Sequence, residues 1–307
     1  MLEVAVIGTG FIGSVHARNI ARHPDAELVA VSDANIEFAK QIAATTGAEA
    51  VTDIAEIFNN KDIHAVLIAT PTDTHVNYLK RAADAGKAIY CEKPIGLDYQ
   101  EAEKAVRAVR AAGVPVMLGF NRRFDASHAA VKEAVDRGEV GKVEIVQLTS
   151  RGPKPPPISY VKVSGGQLRD QTIHFFDLLR WLTNDEPVEI YAIGAALVDP
   201  AIGEAGDVDT SIVSIRMASG RFAKSIVRGA LPTVMTKELR SSVLKDLWNP
   251  HGKTSEECPF TRGVKFSGTD FIRVGSSASN RVTTRRLTHS SSRWKRGRRR
   301  VLRSKMV

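Results

Sequence analysis

Over the first 120 residues, short apolar runs alternate with stretches whose apolar side chains recur every three or four positions. That alternation predicts βαβ units around a parallel sheet. Residues 2–7, 27–32, 65–69, 88–91 and 116–118 read as strands. Residues 12–20, 36–45, 75–85 and 99–112 carry the helical spacing that packing on a sheet requires. The predicted fold class is α/β, with a doubly wound Rossmann-type sheet over residues 1–120.

After Phe120 the order changes. A helix is predicted at 129–137, a strand at 144–149, a proline-rich loop at 151–166, a helix at 173–182, and strands at 188–196 and 208–217. Strands that follow one another without intervening helices favour an open, largely antiparallel sheet, so residues 121–223 are expected to form an incomplete α+β domain. From Lys224 the apolar periodicity weakens and Ser, Thr and Arg crowd in. The last of this stretch, from Arg293 to Arg300, is a run of charge that repels itself when packed, so 224–307 is expected to be a disordered basic tail.

Composition refines this picture in two places. The 307 residues, 43% hydrophobic and 25% charged, suffice for two domains with their own cores. The formal net charge of +9 suggests a nucleic-acid partner until its distribution is examined. Residues 224–307 carry 20 Lys and Arg against 5 Asp and Glu, whereas the part before them carries 23 against 29. The basicity belongs to the tail, which has no recognisable motif and little aromatic interleaving, so nucleic-acid binding is not expected. No apolar run reaches the roughly 18 to 20 residues of a membrane span, and a cytoplasmic protein is expected. Cys91 and Cys258 are too few for a disulfide framework and lack metal-ligand spacing, so no metal is expected.

The chemistry-bearing motifs sit at the ends of the predicted strands. Gly8-Thr9-Gly10-Phe11-Ile12-Gly13 follows a strand and opens a helix, and Asp33 ends the next strand about 20 residues on. The glycines allow backbone to approach a pyrophosphate at a helix N-terminus, and Asp33 suits the adenosine ribose hydroxyls. No arginine follows Asp33 to neutralise a 2′-phosphate, which favours NAD over NADP. Thr70-Pro71-Thr72 and His75 follow the next ligand-facing strand end, with His75 either beside the cofactor or an ordinary helix-start residue. Cys91-Glu92-Lys93-Pro94 ends the next strand on the same ligand face, which puts Glu92 and Lys93 beside the cofactor and the lysine where it can support an alkoxide, although on spacing alone it reads as an ordinary surface lysine. Asp170, His174 and Asp177 stand at i, i+4 and i+7 and on a helix share one face. That spacing reads equally as a histidine base flanked by two carboxylates or as a capped helix start with a satisfied histidine.

These landmarks, with Gly119-Phe120-Asn121-Arg122-Arg123-Phe124-Asp125 and Gly165-Gly166-Gln167-Leu168-Arg169-Asp170-Gln171-Thr172-Ile173-His174, resemble the Gfo/Idh/MocA oxidoreductases over residues 2–223. Within that family the resemblance is strongest to the inositol 2-dehydrogenase branch. It implies NAD as cofactor, and Lys93, Asp170 and His174 as the catalytic set. It also implies that Arg123 or its neighbour Arg122, together with Asp177, lies at the substrate. The Pro155-Pro156-Pro157-Ile158-Ser159-Tyr160 loop resembles the stretch before the catalytic helix, which favours a cyclic polyol such as myo-inositol. The implied reaction oxidises a ring hydroxyl to the ketone, with His174 accepting the proton, Asp170 steadying its ring and Lys93 supporting the oxyanion. The alternatives are another sugar or cyclitol as substrate, or a nucleotide-binding protein without turnover.

Beyond Ala223 the family would continue with a Tyr-Gly-Tyr-Asp-Gln-Arg segment that this chain lacks. Codons compatible with residues 231–240, read one base earlier, spell Ala-Thr-Tyr-Gly-Tyr-Asp-Gln-Arg-Ala-Glu. The same reading through Asn249 allows Val-Phe-Gly-Ser-Gln-Gly-Phe-Val-Glu. A change of reading frame near Lys224 is therefore expected, which accounts for the arginine-rich tail and puts a family-like homo-oligomer in doubt. Sequencing the locus around the Lys224 codon checks this. A family-like continuation in the neighbouring frame is the expected result, and its absence refutes the idea.

Overall fold

Alternate residues of Leu2–Ile7 (β1) enter different cores, which is how one strand comes to anchor a sheet covered on both faces. In the computed structural model, which describes residues 1–152 and 154–229, Val4 and Val6 pack with Ile20 and Ile42, while Ala5 and Ile7 pack with Leu79 and Val109. The chain continues through α1 (Phe11–Ala21), β2 (Ala26–Ser32), α2 (Ile36–Thr46), β3 (Glu49–Ala50) and α3 (Ile54–Asn59). It then runs through β4 (Ala65–Ile68), α4 (Thr72–Asp84), β5 (Ala88–Cys91), α5 (Tyr99–Ala112) and β6 (Val116–Leu118). The strands are parallel in the order β3-β2-β1-β4-β5-β6, a doubly wound topology whose order reverses between β1 and β4. Ligands in such sheets bind at that reversal, beyond the strands' carboxyl ends.

A single 3₁₀ turn (Asn121–Phe124) leads into the second lobe, which contains α6 (Ala126–Asp136), β7 (Ile145–Arg151) and α7 (Ile158–Ser164). A π-helical turn (Leu168–Thr172) runs directly into α8 (Ile173–Thr183), followed by β8 (Pro187–Ala195), α9 (Pro200–Glu204), β9 (Thr210–Met217) and β10 (Phe222–Arg228). The sheet order is β7-β10-β9-β8. The β7–β10 pair is parallel and the other two pairs are antiparallel. Leu179 of α8 buries against Val213, Ile215, Met217 and Ala223, closing one face. The opposite face leaves Ile145, Tyr191, Ile193 and Phe222 exposed.

The structure differs from these expectations in three places. The boundary placed at Lys224 falls inside β10, where Lys224 pairs with Gln147 on one side and Ser214 on the other. The inward residues Ala223 and Ser225 are too small and too polar to give an apolar alternation, so the strand is weakly marked in sequence. The loop at 151–166 contains α7, and the short β3, α3 and α9 carry too few residues to show a period. The tail and its change of reading frame lie otherwise outside the described residues, as does Cys258. Among the described residues no helix is long and apolar enough to cross a membrane.

The glycine turn shows why this corner tolerates little change. A Cβ on Gly13 would lie 1.9 Å from the Gly8 carbonyl oxygen, whereas a Cβ on Gly10 meets nothing within 4 Å. Gly13→Ala is expected to destabilise the fold by about 2 kcal/mol, as overpacking of a tight site does. Gly10→Ala is the control, expected to unfold in denaturant with the wild type.

Candidate active site

Three strand ends of the parallel sheet and one helical turn of the second lobe converge on Lys93. At the first strand end, α1 begins at Gly10 with no side-chain cap and no acidic residue in its first turn, leaving backbone N–H groups and the helix dipole for an anion. Phe11 is exposed beside it and Ile12 packs into the sheet. Asp33, at the end of β2, accepts hydrogen bonds from the Thr9 backbone N–H (2.7 Å) and hydroxyl (3.0 Å), fastening the glycine turn to the ribose side. The open space at Gly10, the uncapped helix and the adjacent carboxylate fit a dinucleotide with a free ribose diol.

At the second strand end, His75 stands in the first turn of α4, one of the two places its position allows. It is buried, with one ring nitrogen 2.7 Å from the Pro94 carbonyl oxygen and the other 2.9 Å from that of Thr70. Both nitrogens are occupied, so His75 ties the Thr70-Pro71-Thr72 turn to the segment that carries Lys93. Thr70 and Thr74 share a hydroxyl bond of 2.6 Å, and Thr72 opens α4 on the ligand side.

At the third strand end stand Glu92 and Lys93. The Glu92 carboxylate turns back into the protein, 2.8 Å from the His16 Nε2 of α1, and the Tyr90 hydroxyl also donates to it at 3.2 Å. This buried pair joins the glycine-turn helix to β5, and His16 had no distinguishing signal in sequence. Lys93, joined to Pro94 by a cis peptide bond, projects the other way. Its ammonium donates to the Asp170 carboxylate Oδ1 at 2.7 Å and to the Asp170 carbonyl oxygen at 2.8 Å. Residues 77 apart in sequence thus meet across the two lobes.

Asp170 lies in the π-helical turn that runs directly into α8, which carries His174. The Asp170 carboxylate is taken up by Lys93, and the His174 ring meets Phe120 edge-on at 6.5 Å between ring centroids. The turn is set by Gly165 and Gly166, both at positive φ, and by Asp207, whose carboxylate accepts the Gln167 N–H at 3.0 and 3.1 Å. Asp177 is engaged by an arginine. It receives Nε and Nη2 of Arg123 at 2.8 and 2.5 Å with its side chain 5% exposed, so these two residues brace α8 against the 3₁₀ turn.

No carboxylate therefore steadies His174, and its Nδ1 is buried without a partner among the described residues. Burial, the Lys93 ammonium and the Arg122 guanidinium together pull its pKa down to about 3. His174 is thus a neutral ring, buried and beside positive charge. Among the described residues no group of three His, Cys, Asp or Glu side chains is placed to hold a metal.

A dinucleotide cradle facing a lysine, an aspartate and a neutral histidine from a second lobe defines a two-domain nicotinamide-linked oxidoreductase. The chain belongs to the Gfo/Idh/MocA family. The family's NAD-binding Rossmann oxidoreductase model matches residues 2–120, and its C-terminal domain model matches residues 128–232. Inositol 2-dehydrogenase of Rhizobium meliloti is 48% identical over 72% of this chain and 67% of its own length. Myo-inositol 2-dehydrogenase of Thermotoga maritima is 40% identical over 71% of this chain and 66% of its own. The crystal structure of a myo-inositol dehydrogenase from Corynebacterium glutamicum is 40% identical and superposes with a TM-score of 0.72, over 75% of this chain and 69% of that one. The chain spans about two thirds of the length of the curated relatives it matches.

The lowered pKa of His174 has a direct consequence for stability. The unfolded chain takes up a proton on this ring near its ordinary pKa of 6.5, while the folded chain resists until about 3. Its contribution is therefore full above pH 6.5 and is lost as pH falls toward 3. The His174 ring signals in NMR are expected to stay those of neutral imidazole down to about pH 4, and His174→Asn to flatten the acid side of the stability profile. Titration of the ring near pH 6.5 in the folded protein would refute this.

Proposed function

We propose that this protein oxidises a ring hydroxyl of myo-inositol, or of a related cyclic polyol, to the ketone with NAD. The observation that carries the reading is the Lys93–Asp170 contact, which brings an ammonium and a neutral imidazole to the carboxyl edge of a dinucleotide-binding sheet. Gly8, Gly10, Phe11, Ile12, Gly13, Asp33 and the Thr70-Pro71-Thr72 turn hold the cofactor. NAD supplies the hydride acceptor when bound.

Two of the three Lys93 N–H groups are used on Asp170, and the third donates to the reacting hydroxyl oxygen. His174 takes the hydroxyl proton. In the resting site its basicity is suppressed first by burial and then by nearby positive charge, and negative charge growing on the substrate oxygen raises it as the reaction proceeds. Lys93 stabilises that same charge, so the proton acceptor and the oxyanion support act in one step. Arg122, whose charge reaches His174, borders the substrate more directly than Arg123 and Asp177, which hold each other. The names of the relatives support inositol as the polyol. The competing reading is a protein that binds the dinucleotide without turnover.

The full chain mixed with NAD and a panel of inositols, cyclitols and aldoses is expected to produce NADH fastest with an inositol. Lys93→Ala and His174→Ala are each expected to lower the rate at least about 100-fold while NAD binding is kept. Tight NAD binding with no NADH from any polyol would establish the competing reading.

A further inference from the structure

Tyr160 stands outside every role assigned above. It lies on α7, the short helix within the proline-rich segment, and its hydroxyl donates to the Asp170 Oδ1 at 2.9 Å. That oxygen is the one Lys93 holds at 2.7 Å, so two donors from separate elements converge on one carboxylate oxygen. We propose that Tyr160 is a positioning residue, which pins the Asp170 carboxylate and through it fixes the Lys93 ammonium. The inference rests on the dehydrogenase reading.

The need for such a residue follows from the geometry. An aspartate carboxylate turns easily about its terminal torsion, whose preference is broad and nearly two-fold. Lys93 alone cannot prevent that turning, because an ammonium is a compact charge on a flexible stem that follows either oxygen. The second Lys93 contact, to the Asp170 carbonyl oxygen, fixes where the ammonium sits relative to the backbone but leaves the carboxylate plane unset. A phenol on a rigid ring supplies the missing constraint. Lys93 and Asp170 are each 16% exposed, so water reaches them little, while Tyr160 is 45% exposed and forms their outer wall. The phenol itself responds to this contact: burial first, then the charge and hydrogen bond of Asp170, push its pKa well above the usual value.

α7 is built to hold the ring there. Pro157 precedes its first turn, Val161 and Ser164 are buried beneath it, and Gly165 ends it in the left-handed conformation. With Gly165 and Gly166 next in the chain, Tyr160 reaches Asp170 across only ten residues. The positioning element and the residue it positions therefore belong to one local unit, and only Lys93 comes from afar.

The test compares the full-length wild type with Tyr160→Phe, which removes one oxygen at a half-exposed site. Polyol-dependent NADH formation, NAD affinity by calorimetry and hydrogen exchange of the ¹⁵N-labelled Lys93 ammonium are measured together. Y160F is expected to lower kcat about tenfold, to leave NAD affinity within twofold, and to speed Lys93 ammonium exchange several-fold. A kcat within twofold of wild type, or an unchanged ammonium signal, would overturn the proposal. If the wild type forms no NADH, the dehydrogenase reading has failed, and the ammonium signal alone still decides the positioning role. Should Y160F not fold, Tyr160→His replaces it. The imidazole keeps a donor, so an ordered ammonium supports the role and a freely exchanging one refutes it.

Discussion

A lysine ammonium held by two oxygens of one aspartate joins the halves of this molecule at the place where chemistry is to occur. Ion pairs on protein surfaces contribute little, but this one is largely withdrawn from water and is reinforced by a backbone carbonyl and a phenol. Removing either partner would leave the other charge poorly solvated, which makes the pairing a strong constraint on how the lobes meet. The placement of His174 relative to the dinucleotide edge follows from it, because α8 continues directly from the turn that carries Asp170.

Around that contact the structure uses buried polar side chains as ties between strand ends. His75 joins the turn after β4 to Pro94, and His16 with Glu92 joins α1 to β5. Each tie satisfies groups that would otherwise be buried without partners, and each fixes a loop that faces the ligand. Arg123 and Asp177 do the same for α8. The effect is to commit the side chains that join these strand ends to one another. Lys93 retains one N–H and His174 retains its ring, and these are the groups a hydroxyl substrate needs.

The electrostatics of the site differ from those of a histidine backed by a carboxylate. Burial, and after it the positive charge on Lys93 and Arg122, suppresses protonation of His174 in the resting state. Such a ring becomes an effective base only when negative charge develops beside it, which couples proton removal to departure of the hydride. The Asp170 carboxylate, on the π-helical turn before α8, is occupied by Lys93 and Tyr160.

Several of these features are legible in the residues alone. The glycine turn and Asp33 announce a dinucleotide site because backbone approach and ribose recognition demand those residue types at that spacing. The long helices and strands of the first lobe are legible because their apolar periods are strong, and the ordered motifs identify the family and the Lys93, Asp170 and His174 set. Tertiary structure alone decided which partners those residues take. Spacing placed Asp170, His174 and Asp177 on one face, and the structure gave the two carboxylates to Lys93 and Arg123. His16 carried no signal, Tyr160 was marked only as part of a loop and not as a partner of Asp170, and the inward face of β10, mostly small or polar, hid a strand. The physical reason is common to all: periodicity reports which side of an element is buried, whereas a hydrogen-bond partner is set by residues far away in sequence that arrive only when the lobes close.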